Sequence, residues 1–212
     1  MRITVFGAAG NVGSRVVAEA LHRGHEVTAV VRDSARFPEL AAAARPRAGD
    51  AADAGEVAEL SEGQDVVISA TRPAPGREGE LAVIAEALLT GLAQTGVRLL
   101  LVGGAGSLTL PGTGGTTVAE GPDFPPSWLP IALACNDQLA VCKAETRVDW
   151  VYLSPSAMLE PGVRTGGYRV GSDELLVDAD GNSSISMEDL AVALVDEAEQ
   201  PQHHRARFTV GY

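Results

Sequence analysis

The apolar positions along the chain follow two alternating periods. Short runs rich in β-branched residues at 2–6, 26–31, 46–48, 65–69, 97–102 and 148–153 predict strands. Between them, apolar residues recur at helical spacing, which predicts helices at 11–23, 53–60, 78–94 and 131–145. This alternation predicts an α/β fold, a Rossmann-like, doubly wound, mostly parallel sheet with helices on both faces.

In the last fifty residues the regular alternation of predicted strands and helices ends. Short strand-like pieces (YRV, ELLVD and SSIS) precede a predicted helix at 187–199 and a final strand, RFTVG. No linker or repeat interrupts the pattern, so we expect a single domain over 1–212. The Gly-, Pro- and Thr-rich stretch 103–130 follows a strand, and we expect it to form a small substrate-side region together with 155–186.

Charge and cysteine content exclude several classes of function. The formal net charge of −12 disfavours non-specific binding to nucleic acid or to an anionic membrane. Cys135 and Cys142 are two helical turns apart, too far for a disulfide, and no Cys/His cluster suggests a metal site. With no signal peptide and no membrane-spanning run, we expect a cytoplasmic protein.

The clearest motif is GAAGNVG, where Gly7, Gly10 and Gly13 lie between the first strand and the first helix. In a dinucleotide fingerprint the first glycine allows a tight turn, the second lets the backbone approach a pyrophosphate, and the third lets helix pack on strand. The helix amino terminus adds free N–H groups and partial positive charge. We therefore predict a cofactor site that also includes Ala9, Asn11 and Val12.

The end of the second strand bears on which nucleotide binds. NAD sites usually have an acidic residue there, whereas this strand ends VVRDSAR, with Arg32 at that place and Arg36 four residues later. Two guanidinium groups can hold a 2′-phosphate, which favours NADP(H) over NAD(H). Asp33 is the counter-argument, because it could pair with Arg32 or reach the ribose itself.

Taken together, these motifs resemble the atypical short-chain dehydrogenase/reductases. The similarity is to NAD(P)H-binding proteins of the NADH–flavin reductase kind and, more distantly, to biliverdin-IXβ/flavin reductase. It covers the whole chain and includes DVVISATRP, LLLVGGAGSL, DWVYLSPSAM and ISMEDLAVAL. It implies cofactor contacts from further residues along the chain: Asp50 and Ala51 at the adenine, Ala70, Thr71 and Arg72 at the ribose and pyrophosphate, Gly104 near the nicotinamide ribose, and Ser154, Pro155 and Ser156 at the nicotinamide face.

One departure from the resemblance affects the predicted chemistry. Usual short-chain dehydrogenases transfer a proton through Tyr-x-x-x-Lys, but Leu139 stands four residues before Lys143. Direct hydride transfer to a planar acceptor such as a flavin or quinone needs fewer catalytic groups from the protein. We therefore predict an NADPH-dependent reductase of that kind, with Ser107 as the candidate catalytic group. The alternative is a redox sensor that binds NADPH without turning it over; an epimerase using bound NADP is a weaker option.

Three aromatic residues are candidates for the acceptor pocket. Phe124 and Trp128 lie in the long loop, where they could stack on a flat acceptor or fix the loop to the core. Tyr168 follows two glycines and could line the pocket or be an ordinary strand residue.

Overall fold

The computed structural model describes all 212 residues of the chain. The α-helices are α1 (Asn11–His22), α2 (Ala54–Ser61), α3 (Glu80–Thr95), α4 (Leu129–Ala144) and α5 (Met187–Glu199). The strands are β1 (Arg2–Phe6), β2 (Glu26–Val31), β3 (Arg45–Ala48), β4 (Val66–Ser69), β5 (Arg98–Val102), β6 (Trp150–Ser154), β7 (Met158–Glu160), β8 (Arg169–Gly171), β9 (Ser184–Ser186) and β10 (Ala206–Gly211).

Eight strands form one sheet in the order β3-β2-β1-β4-β5-β6-β10-β8. All neighbours in it are parallel except β8, which runs antiparallel to β10. Strand order reverses between β1 and β4, and ligands of such sheets bind at the carboxyl ends beside this switch point. β7 and β9 form a separate two-stranded parallel ladder.

The core lies in two apolar layers, one on each face of the sheet. On one face α1 and α5 pack together and bury residues such as Val16 and Leu194 against the strands. On the other face α2, α3 and α4 bury residues such as Val57, Leu88 and Leu139. The predicted doubly wound α/β fold is confirmed.

Most predicted boundaries agree with the structure, and the exceptions are in the tail. ELLVD is not a strand: Glu174 makes a single bridge to Thr109, and Leu175 is buried beneath the long loop. Burial against that loop, rather than strand pairing, explains its apolar residues. β7 was missed because its three residues carry no alternating pattern that distinguishes them from a loop. None of the helices has the length and apolar character that crossing a membrane requires.

Candidate nucleotide-binding site

The predicted cofactor residues meet at one edge of the sheet. β1 to β6 are parallel, so the segments that follow them emerge on the same side. This edge carries the glycine loop after β1, Arg32 after β2, Asp50 after β3, Ala70 to Arg72 after β4, Gly104 to Ser107 after β5, and Ser154 to Ser156 at the end of β6.

Two of the three glycines, Gly7 and Gly13, are required by the local geometry. Gly7 has a φ of +76°, and a Cβ there would lie 2.6 Å from the carbonyl oxygen of Ala70. A Cβ on Gly13 would lie 2.0 Å from the carbonyl oxygen of Gly7, so any side chain would push the helix off the loop. At Gly10 a Cβ would lie 3.1 Å from that same carbonyl oxygen and 3.9 Å from the carbonyl oxygen of Ala70, so the protein does not close this position and a ligand can approach its backbone.

The start of α1 offers backbone donors without competition from side chains. The amides of Ala9, Asn11, Val12 and Gly13 have no acceptor within the protein. Gly10 is the N-cap and provides no side-chain acceptor, and the first turn contains no acidic residue. By contrast, Asp53 caps α2 and Ser186 caps α5. The amino terminus of α1 is thus free to bind an anion.

Two arginines at this edge differ from all the others. The side chains of Arg32 and Arg72 make neither a hydrogen bond nor an ion pair within the protein. The side chain of every other arginine contacts a carboxylate, a carbonyl or a hydroxyl. They follow β2 and β4, the strands on either side of β1, so they flank the glycine loop. In a chain with 28 carboxylates against 16 basic side chains, two unpaired cations beside this loop indicate an anionic ligand.

Asp33 caps a short helix and makes no ion pair with Arg32. Its side chain accepts from the backbone N–H of Ala35 at 2.8 Å at the start of the 3-10 helix Ser34–Glu39. The alternative that Asp33 reaches the ribose stays a prediction. Arg36 donates to the carbonyl of Ala9 at 3.0 Å and also pairs with Glu39. The Ala9 contact fixes Arg36 against the glycine loop, on the same side as Arg32.

The remaining predicted adenosine contacts are held by backbone turns. The Asp50 carboxylate accepts from the backbone of Ala52 at 2.9 Å, and Ala51 is buried. The carbonyl of Ala70 lies against Gly7, and the Thr71 hydroxyl hydrogen-bonds with that of Ser69 at 3.1 Å. These residues follow β3 and β4 at the carboxyl edge of the sheet, beside the switch point.

The loop after β5 is packed closely against α4. A Cβ on Gly104 would lie 2.8 Å from the Cβ of Cys135. The buried Tyr152 joins the two segments, because its hydroxyl donates to the carbonyl of Cys135 at 2.8 Å and accepts from the amide of Gly104 at 3.2 Å. Ser107 follows in this loop and is half-buried.

The residues at the end of β6 are more enclosed than predicted. Ser154, Pro155 and Ser156 are all buried. The Ser156 hydroxyl donates to the carbonyl of Val210 at 2.9 Å, so it stabilises the turn, whereas the Ser154 hydroxyl has no partner. Both serines are therefore buried beneath this edge of the sheet rather than exposed on it.

The three aromatic candidates do not come together. Trp128 is 44% exposed, Phe124 is half-buried, and neither belongs to the apolar clusters of the core. Their predicted roles, stacking on a flat acceptor or fixing the loop, stay predictions. Tyr168 as a residue of the acceptor pocket stays a prediction. It packs on the α1 and α5 face, opposite to α4, and its hydroxyl donates to the Asp196 carboxylate.

No tyrosine takes the place of the missing motif. The hydroxyls of Tyr152, Tyr168 and Tyr212 each donate to a protein acceptor: the carbonyl of Cys135, the Asp196 carboxylate and the Asp189 carboxylate, respectively. Burial also raises the pKa of Tyr152 well above its ordinary value, which keeps it protonated. Lys143 lies near the far end of α4, about 21 Å along the helix from its start.

Sequence reasoning missed one residue at the site. Arg207 on β10 donates to the hydroxyl of Ser107 at 2.9 Å, although 100 positions separate the two in sequence. The only available signal was a charged residue in the otherwise apolar final strand RFTVG.

Comparison with known proteins identifies the family. The NAD(P)H-binding family model matches residues 7–201. The protein YwnB of Bacillus subtilis strain 168 is 38% identical over 213 residues, covering 99% of this chain and 98% of YwnB. Among solved structures, a putative epimerase from Bacteroides thetaiotaomicron is 41% identical, with a TM-score of 0.89 over 100% of this chain and 96% of that one. A putative NADH-flavin reductase from Streptococcus pneumoniae TIGR4 is 33% identical, with a TM-score of 0.90 over 100% and 99% of the two chains. The predicted resemblance is confirmed, and the chain belongs to the NAD(P)H-binding family.

Proposed function

We propose that this protein is an NADPH-dependent reductase that passes hydride directly to a flavin, a quinone or a similar planar acceptor. The observation that carries the cofactor preference is the unpaired guanidinium of Arg32 at the end of β2, where an NAD site would have a carboxylate. Arg36, held against the glycine loop, adds a second cation for the 2′-phosphate.

The acceptor class is proposed from the groups near the predicted cofactor site. No tyrosine is free to transfer a proton, which disfavours alcohol–ketone chemistry and epimerisation. A flavin or quinone gains hydride from a stacked nicotinamide and takes its proton from solvent, so the protein need only position the rings and exclude water. Exposed Trp128 and half-buried Phe124 are the proposed aromatic surface of the loop after β5, and the Streptococcus pneumoniae relative bears the name of such a reductase.

The test is NADPH consumption by purified protein with FMN, riboflavin or menadione, each against a control without protein. We expect consumption that saturates with acceptor, and a higher kcat/KM with NADPH than with NADH. An equal kcat/KM with NADH and NADPH would refute the proposed preference for NADPH. If no acceptor supports NADPH consumption, the proposed reductase function is refuted.

The second candidate is a redox sensor that binds NADPH without turnover. The same observation favours it, since every tyrosine hydroxyl is engaged within the protein. Clear thermal stabilisation by NADPH without consumption would select this function. A cytoplasmic location stays a prediction from the sequence.

A further inference from the structure

Arg207 is a buried cation with two partners at the substrate side of the site. Only 6% of its side chain is exposed. Its Nε donates to Asp173 at 2.8 Å, and its Nη1 donates to the Ser107 hydroxyl at 2.9 Å. A buried guanidinium is costly unless it is paired, so these contacts fix its orientation.

The sheet register explains how a residue of the last strand reaches the loop after β5. Arg207 lies opposite Tyr152 on β6, and Tyr152 lies opposite Leu101 on β5. Arg207 and Tyr152 therefore point to the same face of the sheet, the α4 face. Tyr152 holds the loop at Gly104, and Arg207 holds the same loop three residues further along.

The hydrogen bond from Arg207 decides what Ser107 can do. A guanidinium has no acceptor atom, so in this contact the serine oxygen accepts and its own proton stays free. No other group of the protein accepts that proton. A hydroxyl whose oxygen is polarised by a cation is a stronger donor than an ordinary serine.

We propose that Arg207 is the positioning residue that turns Ser107 into a hydrogen-bond donor for the acceptor atom that becomes negative during hydride transfer. This inference rests on the proposed reductase function. The C–H bond at C4 of the dihydronicotinamide breaks with both electrons, and a new bond to hydrogen forms on the acceptor, giving NADP⁺ and a reduced acceptor anion. Ser107 stabilises that anion through its O–H group, and water then supplies the proton that completes the reduced acceptor.

The test is a double-mutant cycle with S107A, R207M and the double variant, assayed with NADPH and FMN. We expect each single variant to lower kcat by about 10- to 100-fold while the KM for NADPH stays within about twofold. The double variant should be no slower than the slower single variant, because both remove the same hydrogen bond. R207K, which keeps one charged donor, should recover part of the lost kcat.

Two controls separate positioning from folding. Arg169→Met removes an arginine from the adjacent strand β8 that donates to Val177 and Tyr212 but not to Ser107, and it should leave kcat within about twofold. If R207M does not fold, Asp173→Asn loosens the same guanidinium through a residue that is 70% exposed, and it should lower kcat in the same direction. Losses of kcat that multiply in the double variant, or an unchanged kcat in R207M, overturn the proposal.

A binding measurement distinguishes this inference from the proposed function. FMN affinity for the NADP⁺-loaded protein is followed by flavin fluorescence in the same variants. If the wild type binds FMN without reducing it, the reductase proposal fails, while an equal and non-additive loss of FMN affinity in S107A and R207M still supports the hydrogen bond. If the wild type only binds FMN and both variants keep its affinity, the inference about Ser107 and Arg207 is overturned. If the wild type neither binds nor reduces FMN or menadione, both that inference and the reductase proposal are overturned.

Discussion

Reversing the charge at Arg32 tests the assignment of the cofactor most directly. Arg32 is exposed, follows β2 and has no partner in the protein, so Arg32→Asp breaks no internal contact. In the NADPH complex we expect it to remove one or two charge-assisted hydrogen bonds to the 2′-phosphate, each worth about 1.5–3 kcal/mol. The smaller figure alone raises the Kd for NADPH about tenfold, and two bonds raise it well beyond one hundredfold.

The same substitution should act differently on NADH. A carboxylate at this place can accept a hydrogen bond from the ribose 2′-hydroxyl, so the Kd for NADH should stay within about threefold or improve. Both values can be measured by titrating protein fluorescence with each nucleotide at low and high salt.

Arg45→Asp is the matched control. It makes the same change in net charge at an exposed position on β3, where Arg45 pairs only with Glu26. It should leave both Kd values within about twofold, because exposed charges beyond the Debye length are screened. Equal losses of NADPH and NADH affinity in Arg32→Asp, or an equal loss of NADPH affinity in the control, would refute the 2′-phosphate assignment.

Two further predictions concern the loop and acid stability. Gly10→Val should abolish measurable binding of both nucleotides in titrations while the far-ultraviolet spectrum stays native, because its Cβ enters the space left for the pyrophosphate; unchanged affinity would make this loop a simple turn. Hydrogen bonds from Arg164, together with Arg23, lower the pKa of buried Glu19 to about 2 from 4.5, so its stabilising effect is complete above pH 4.5 and is lost as the pH falls towards 2. The difference in unfolding free energy between wild type and Glu19→Gln should therefore narrow by about 1–2 kcal/mol between pH 6 and pH 3 in urea titrations, and a constant difference would contradict the ion pairing.

The sequence predicts the cofactor half of the molecule well because that half depends on local rules. Strands β1 and β2 and the glycines between them have a clear period, a required left-handed turn at Gly7 and a helix start, all within some thirty residues. Such features need no knowledge of the rest of the chain.

The other half depends on contacts between distant segments. Tyr168 bonds to Asp196, and Ser107 to Arg207, across 28 and 100 positions. Neither contact has a spacing that a sequence motif could reveal. Asp33 illustrates the same limit at short range, because only the structure shows that it caps a helix instead of neutralising Arg32.

The tyrosines provide the strongest test of hydride transfer without a tyrosine acid. Tyr152→Phe removes a buried hydroxyl that joins Cys135 to Gly104, so it should destabilise the protein by about 1–3 kcal/mol in urea titrations. Because burial raises its pKa and its proton is already donated within the protein, kcat per folded molecule should fall by no more than a few-fold. In Tyr168→Phe and Tyr212→Phe, kcat per folded molecule should likewise fall by no more than a few-fold. If one of the three variants binds NADPH normally and loses kcat by a hundredfold or more, that tyrosine moves to donate its proton during the reaction, and solvent is not the proton source.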